Sequence, residues 1–118
     1  MIVCLDSGNS RIKWGVHDGA QWLAQGAVAH ADVEQLARLL LDWPNPDKVV
    51  LANVAGTVAG GRIREQLGRW SPVFWEVTSE FSRCGVTNRY RNPEQLGVDR
   101  WCALIGARGM SHSAVLVV

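Results

Sequence analysis

The most constraining feature of this chain lies in its first seventeen residues. An apolar run at residues 2–5 ends on Asp6, Ser7-Gly8-Asn9-Ser10 follows at once, and residues 11–16 then alternate in character. The run is the pattern of a buried central strand, and the four turn-forming residues reverse the chain. Alternation places Ile12, Trp14 and Val16 on one face of the returning strand, with Arg11 and Lys13 on the other. Asp18-Gly19 is a second turn signal, and residues 22–29 supply a third strand. The chain is therefore expected to open with three antiparallel strands in succession.

The remainder alternates helix and strand. Asp32 is placed to cap a helix whose apolar positions Val33, Leu36, Ala37, Leu40 and Leu41 fall at helical spacing, and Pro44 and Pro46 end it. Residues 49–52 read as a fourth strand buried on both faces. Residues 53–61 read as a small-residue loop, 62–70 as a helix terminated near Gly68, and 73–77 as a fifth strand. Residues 78–93 are irregular, polar and arginine-bearing, a type of stretch that more often carries function than not. A helix is expected over 97–108, with Trp101, Leu104 and Ile105 on one face and Gly109 closing it, before an apolar strand at 114–118. This order suits an α/β fold of ribonuclease H-like type, with a mixed sheet, antiparallel strands 1–3 and flanking helices. No repeat, low-complexity stretch or linker divides the 118 residues, so 1–118 reads as one domain.

Composition narrows the function classes. A hydrophobic fraction of 47% and a charged fraction of 19% belong to a folded chain. Net charge is +1, with modest basic clusters at 62–64 and 89–91, so direct nucleic-acid or anionic-membrane binding is not expected. A small phosphorylated ligand needs only a few such residues. No apolar stretch is long enough to span a bilayer, and the N-terminus lacks the pattern of a signal peptide. Cys4, Cys84 and Cys102 are odd in number and lack metal-ligand spacing, which argues against a disulfide framework and for a cytoplasmic location. The six tryptophans are expected in the core, and His17, His30 and His112 at the surface. Ser111 and Ser113 fit a cap or turn, and residues 56–61 lack the Lys-Ser/Thr ending of a P-loop.

The first turn has the chemistry of a phosphate site. Gly8 has no Cβ to keep an anion from the backbone, and consecutive N–H groups in a tight turn form a positive concavity. Asp6 would be repelled by phosphate, so its natural partner is Mg²⁺, which takes a carboxylate and keeps several waters. Lys13 on the adjoining strand supplies a point charge for a phosphate oxygen. Asp-x-Gly-Asn is also a good plain hairpin turn, with Lys13 a solvated residue. The position of Asp6, at the end of the first apolar strand of an α/β half, favours the phosphate reading. Asn53 either approaches the same ligand or turns the chain.

A second candidate site lies at Leu96-Gly97-Val98-Asp99-Arg100-Trp101, after Asn88-Arg89-Tyr90-Arg91-Asn92-Pro93. Phosphoryl transfer to an alcohol needs a carboxylate to accept the hydroxyl proton and a group to hold the acceptor in line. Asp99, in the first turn of a predicted helix, stays ionised under the helix dipole, and Arg100 offers a planar fork for a carboxylate. That pair fits an acceptor bearing both a hydroxyl and an acid; an Asp-Arg pair taken alone is more often a stabilised helix start with the arginine exposed.

The segment from Leu5 to Trp14 resembles the first phosphate motif of the superfamily of actin, heat-shock ATPases and acetate and sugar kinases. More narrowly, its Asp-x-Gly-Asn-Ser-x-x-Lys form, with Gly85-Val86-Thr87-Asn88-Arg89-Tyr90, Asn92-Pro93 and Leu96 to Trp101, resembles type III pantothenate kinases along the whole chain. The resemblance implies a ribonuclease H-like half-domain, with ATP-dependent phosphorylation of pantothenate to 4′-phosphopantothenate, toward coenzyme A. It implies that Asp6 positions Mg²⁺ and ATP, that Gly8, Asn9 and Lys13 surround the phosphates, and that Asp99 is the catalytic base. It further implies that Arg100 binds the pantothenate carboxylate, that Tyr90 and Gly97 line its pocket, and that the enzyme is a homodimer using a monovalent cation, K⁺ or NH₄⁺. Arg89 is a departure, because many relatives carry Gly there, and its bulk bears on the pocket rim. Within the family the strand at 114–118 runs into an Asp-x-Gly-Thr second phosphate motif, whereas this sequence ends at Val118. By this resemblance the family's second domain is expected to lie outside these 118 residues, which alone are expected to be inactive and self-associating. The same family includes chains described as Bvg accessory factors, so a transcriptional regulator without turnover is the alternative.

Overall fold

A computed structural model describes residues 1–79, 82–83 and 86–87. Residues 1–77 form one compact unit, and the segment from 78 onward is a second. In the first unit the three opening strands are β1 (Ile2–Ser7), β2 (Arg11–His17) and β3 (Trp22–Ala29). A 3₁₀ stretch, His30–Arg38, runs into α1 (Leu39–Asp42). Then come β4 (Lys48–Asn53), α2 (Thr57–Gln66), a second 3₁₀ stretch (Gly68–Val73) and β5 (Phe74–Glu76). The strands form one five-stranded sheet in the order β3-β2-β1-β4-β5. β1–β2 and β2–β3 are antiparallel, whereas β1–β4 and β4–β5 are parallel. This is the expected mixed α/β sheet, with β1 at its centre. In the second unit β6 (Ser82–Arg83) pairs antiparallel with β7 (Val86–Thr87).

Period-two alternation decides the two faces of the sheet. Register sets Val3 opposite Val16 and Val49, and Leu5 opposite Trp14 and Leu51, so these side chains share one face. Leu36, Leu39, Ile63, Leu67 and Trp70 complete a single core with them. Each fully buried aliphatic side chain contributes about 1.5–3 kcal/mol. Gly26 lies opposite Trp14, and a Cβ there would meet the indole at 2.5 Å, so the ring packs on bare backbone. The other face carries Ile2, Cys4, Asp6, Lys13, Val50 and Trp75, all half-buried or exposed. Burial raises the Cys4 thiol pKa, so the thiol is a poor nucleophile.

Several expectations are corrected. Asp32 makes no side-chain cap hydrogen bond among the described residues: it lies at a kink (φ −110°, ψ 28°) between two helical pieces, and the first begins at His30. Leu39, not Leu41, faces the core, and Leu41 is 74% exposed, because the 3₁₀ turns shift the buried stripe. The small-residue loop ends early, since α2 starts at Thr57, with Gly60 and Gly61 inside it. The glycines hid this helix from a propensity argument. Residues 68–73 continue as a 3₁₀ stretch carrying Pro72. β4 is buried on one face only, Val50 and Ala52 being half-buried. Of the tryptophans described, Trp70 is buried, while Trp22 and Trp75 are 51% and 40% exposed. Trp75 instead lies under the Lys48 ammonium, 4.5 Å from the ring centre. The expected helix at 97–108 and strand at 114–118 lie outside the described residues.

Candidate functional site

The β1–β2 turn is held from three directions. The Gly8 N–H donates to Arg11 O at 3.0 Å, which closes the hairpin, and the Val54 N–H donates to Ser7 O at 2.9 Å from the loop after β4. His30, the residue after β3, places Nε2 2.6 Å from Gly8 O. A carbonyl only accepts, so Nε2 carries the proton in this contact. His30 was expected at the surface. It is half-buried, and the antiparallel return of β3 beside β2 is what brings it to a turn 22 residues earlier.

Asp6 and Lys13 are cross-strand partners in the β1–β2 ladder, so both project from the same face, and both are exposed. Asn9 and Ser10 form the exposed tip of the turn. The structure thus brings Asp6, Gly8, Asn9 and Lys13 together in one hairpin. Gly8 is in no strained conformation, and a Cβ there would meet only Arg11 O, at 3.6 Å. Nothing among the described residues demands glycine at this position. The Gly8 N–H is already spent on Arg11, so the backbone donors left to a ligand are those of the Asn9–Ser10 tip.

Asn53, left open by the sequence, turns the chain. Its Oδ1 accepts the Ala55 N–H at 3.0 Å and its Nδ2 donates to Gly56 O at 2.9 Å. Gly56, at φ 99°, then admits α2, and Gly60 lets the helix pass close by, since a Cβ there would lie 2.8 Å from Asn53 Nδ2. A hollow of about 320 Å³ opens between the turn and α2, lined by Asn9, His30, Val33, Val58 and Arg62 among others. Arg62 is its cation. Arg64, two residues on, is paired with Glu76 at 2.6 Å beside a second hollow and stacks over Phe74.

Among the described residues no three His, Cys, Asp or Glu side chains converge as a metal cage. One exposed carboxylate at the end of β1 suits a hard cation that keeps its waters and takes its remaining ligands from phosphate. Tyr90, Gly97, Asp99 and Arg100 lie outside the described residues, as do Arg89, Cys84 and Cys102. No helix among the described residues is long and apolar enough to cross a membrane.

Comparison with known proteins gives a consistent result. The family model described as type III pantothenate kinase matches residues 2–118. The type III pantothenate kinase of Dechloromonas aromatica (strain RCB) is 70% identical over 118 residues, covering all of this chain and 50% of the relative. That of Aromatoleum aromaticum is 48% identical over 119 residues, covering 49% of the relative. That of Nitrosospira multiformis is 43% identical over 118 residues, covering 45%. The chain spans about half the length of the curated relatives it matches.

Proposed function

This chain belongs to the type III pantothenate kinase family, an actin- and sugar-kinase-like group, and from that premise we propose a function for the protein it represents. The intact protein transfers the γ-phosphoryl group of ATP to the hydroxyl of pantothenate, giving 4′-phosphopantothenate for coenzyme A synthesis. These residues form the N-terminal half of the catalytic unit. The observation that carries the reading is the single hairpin, made by the central strand β1 and its neighbour β2, that presents Asp6, Gly8, Asn9 and Lys13 together.

In this reading the Asn9–Ser10 tip and the Lys13 ammonium receive the phosphates, and Lys13 offsets charge that builds on the transferring group. Asp6 holds Mg²⁺ through its carboxylate, directly or through water. The ion, when bound, supplies neutralising charge between the phosphates. Asp99 accepts the proton of the pantothenate hydroxyl, Arg100 clamps the carboxylate, and Tyr90 and Gly97 line the pocket. The homodimer, the monovalent cation and a cytoplasmic location belong to the same proposal, and no described residue is assigned to that cation. The relatives above are named as kinases, so the Bvg accessory factor-type regulator gains no support.

The test is pantothenate-dependent ADP formation by the intact gene product, with 4′-phosphopantothenate identified by mass. ADP formation that ignores pantothenate, or none at all, overturns the proposal.

A further inference from the structure

We propose that His30 is a positioning residue for the phosphate turn, acting through the peptide unit that joins Gly8 to Asn9; this rests on the kinase reading above. A trans peptide is planar, and its C=O and N–H point in opposite directions. The imidazole binds the carbonyl end of this plane at 2.6 Å. It thereby fixes the direction of the N–H at the other end, which belongs to Asn9. No acceptor among the described residues takes that N–H.

The preceding peptide is held independently, since the Gly8 N–H is bound to Arg11 O and Ser7 O receives the Val54 N–H. Gly8 would otherwise be the loosest point in the turn, because glycine has the widest choice of backbone conformation. With His30 in place, both peptide planes flanking Gly8 are set before a ligand arrives. An N–H already aimed at a phosphate oxygen costs no reorganisation when charge shifts during transfer. His30 touches neither substrate nor reacting atoms in this account. It aims the group that does.

The contact requires a donor at the position of Nε2, which separates two amide replacements. Gln reaches about as far as Nε2, whereas Asn reaches only as far as Nδ1. The experiment compares wild type, His30→Gln, His30→Asn and His30→Ala in the intact gene product. In steady-state kinetics, His30→Asn and His30→Ala are expected to lower kcat/KM for ATP about tenfold, the scale of one hydrogen bond to a charged group. KM for pantothenate should stay put, and His30→Gln should recover most of the loss. In ¹⁵N NMR, free wild-type protein should show His30 as the Nε2–H form. The Asn9 amide should shift on adding Mg²⁺ with a non-hydrolysable ATP analogue, and less in His30→Ala.

An Nδ1–H tautomer at His30 overturns the inference. So does an Asn9 response unchanged in His30→Ala, or a Gln variant no better than Asn. A wild-type protein without pantothenate-dependent turnover overturns the kinase reading instead. The tautomer and the Asn9 amide then decide the role of His30 by themselves, since neither needs turnover.

Discussion

Asp6 and Lys13 stand directly opposite each other across the β1–β2 ladder, on the face of the sheet away from the helix-covered core. Their charged groups do not close an ion pair. Opposite charges held side by side and left unpaired among the described residues suit a ligand with both demands, a cation and an anion. Mg²⁺ with ATP has both.

The two residues should therefore fail differently. Lys13→Met is expected to raise KM for ATP about tenfold, as loss of one charge-assisted contact does. Asp6→Asn should lower kcat and shift the Mg²⁺ dependence to higher concentration. Both sites are exposed, so stability should change by no more than about 0.5 kcal/mol. Initial rates across a Mg²⁺ series decide it: identical profiles for the two variants would refute the division of roles.

Gly8→Ala offers a cleaner separation of fold from function. Among the described residues the added Cβ meets nothing closer than Arg11 O, at 3.6 Å, and Gly8 does not sit at positive φ. Thermal stability should be preserved, while nucleotide affinity falls because the methyl group stands where an anion approaches. Calorimetric titration with an ATP analogue alongside a melting curve tests this. A variant that binds normally would show that the glycine serves no ligand.

Two adjacent helical glycines should respond in opposite directions. At Gly60 a Cβ would lie 2.8 Å from Asn53 Nδ2, the group that donates to Gly56 O and shapes the entry to α2. Gly60→Ala is expected to cost about 1–3 kcal/mol. At Gly61 a Cβ would meet nothing within 4 Å among the described residues, and its alanine variant should gain up to about 1 kcal/mol from helix propensity. Urea denaturation of both variants measures the contrast, and equal shifts would contradict it.

The Asp18 turn sets an acid limit on part of the stability. Its carboxylate accepts the N–H groups of Gln21 and Ala20 at 2.8 Å each, and these bonds hold its pKa below the ordinary aspartate value. The native state therefore binds this proton less readily than the unfolded chain. The contribution is complete above the unfolded pKa, about 3.9, and is lost as pH falls through the lower folded value. Asp18→Asn keeps an acceptor oxygen but no titrating charge, so its stability should fall less steeply below about pH 4. Denaturation midpoints from pH 6 to pH 2 should converge for the two proteins at the acid end.

The amino-acid sequence determined the parts of this protein that depend on neighbours in the chain. Alternation in β2, the apolar run of β1 and the turn residues between them were legible because a strand's faces follow from period two alone. The mixed sheet followed from the order of hairpins and helix-separated strands. The helical segments were read less well. Asp32 had the chemistry of a cap but lies at a kink, and Gly60 and Gly61 disguised α2 as a loop. At Gly60 the reason is visible in the space Asn53 requires.

The candidate site divides along the same line. Asp6, Gly8, Asn9 and Lys13 fall within eight residues, so a motif could name them from sequence. Only the tertiary structure decided that Asp6 and Lys13 share a face, since that depends on strand register. It also decided that Asn53 spends both polar groups on its own turn. His30 carried no signal at all, being an isolated histidine far from the motif. Its place on Gly8 O exists because β3 returns antiparallel to β2 and ends level with the turn, a long-range pairing that no local pattern encodes.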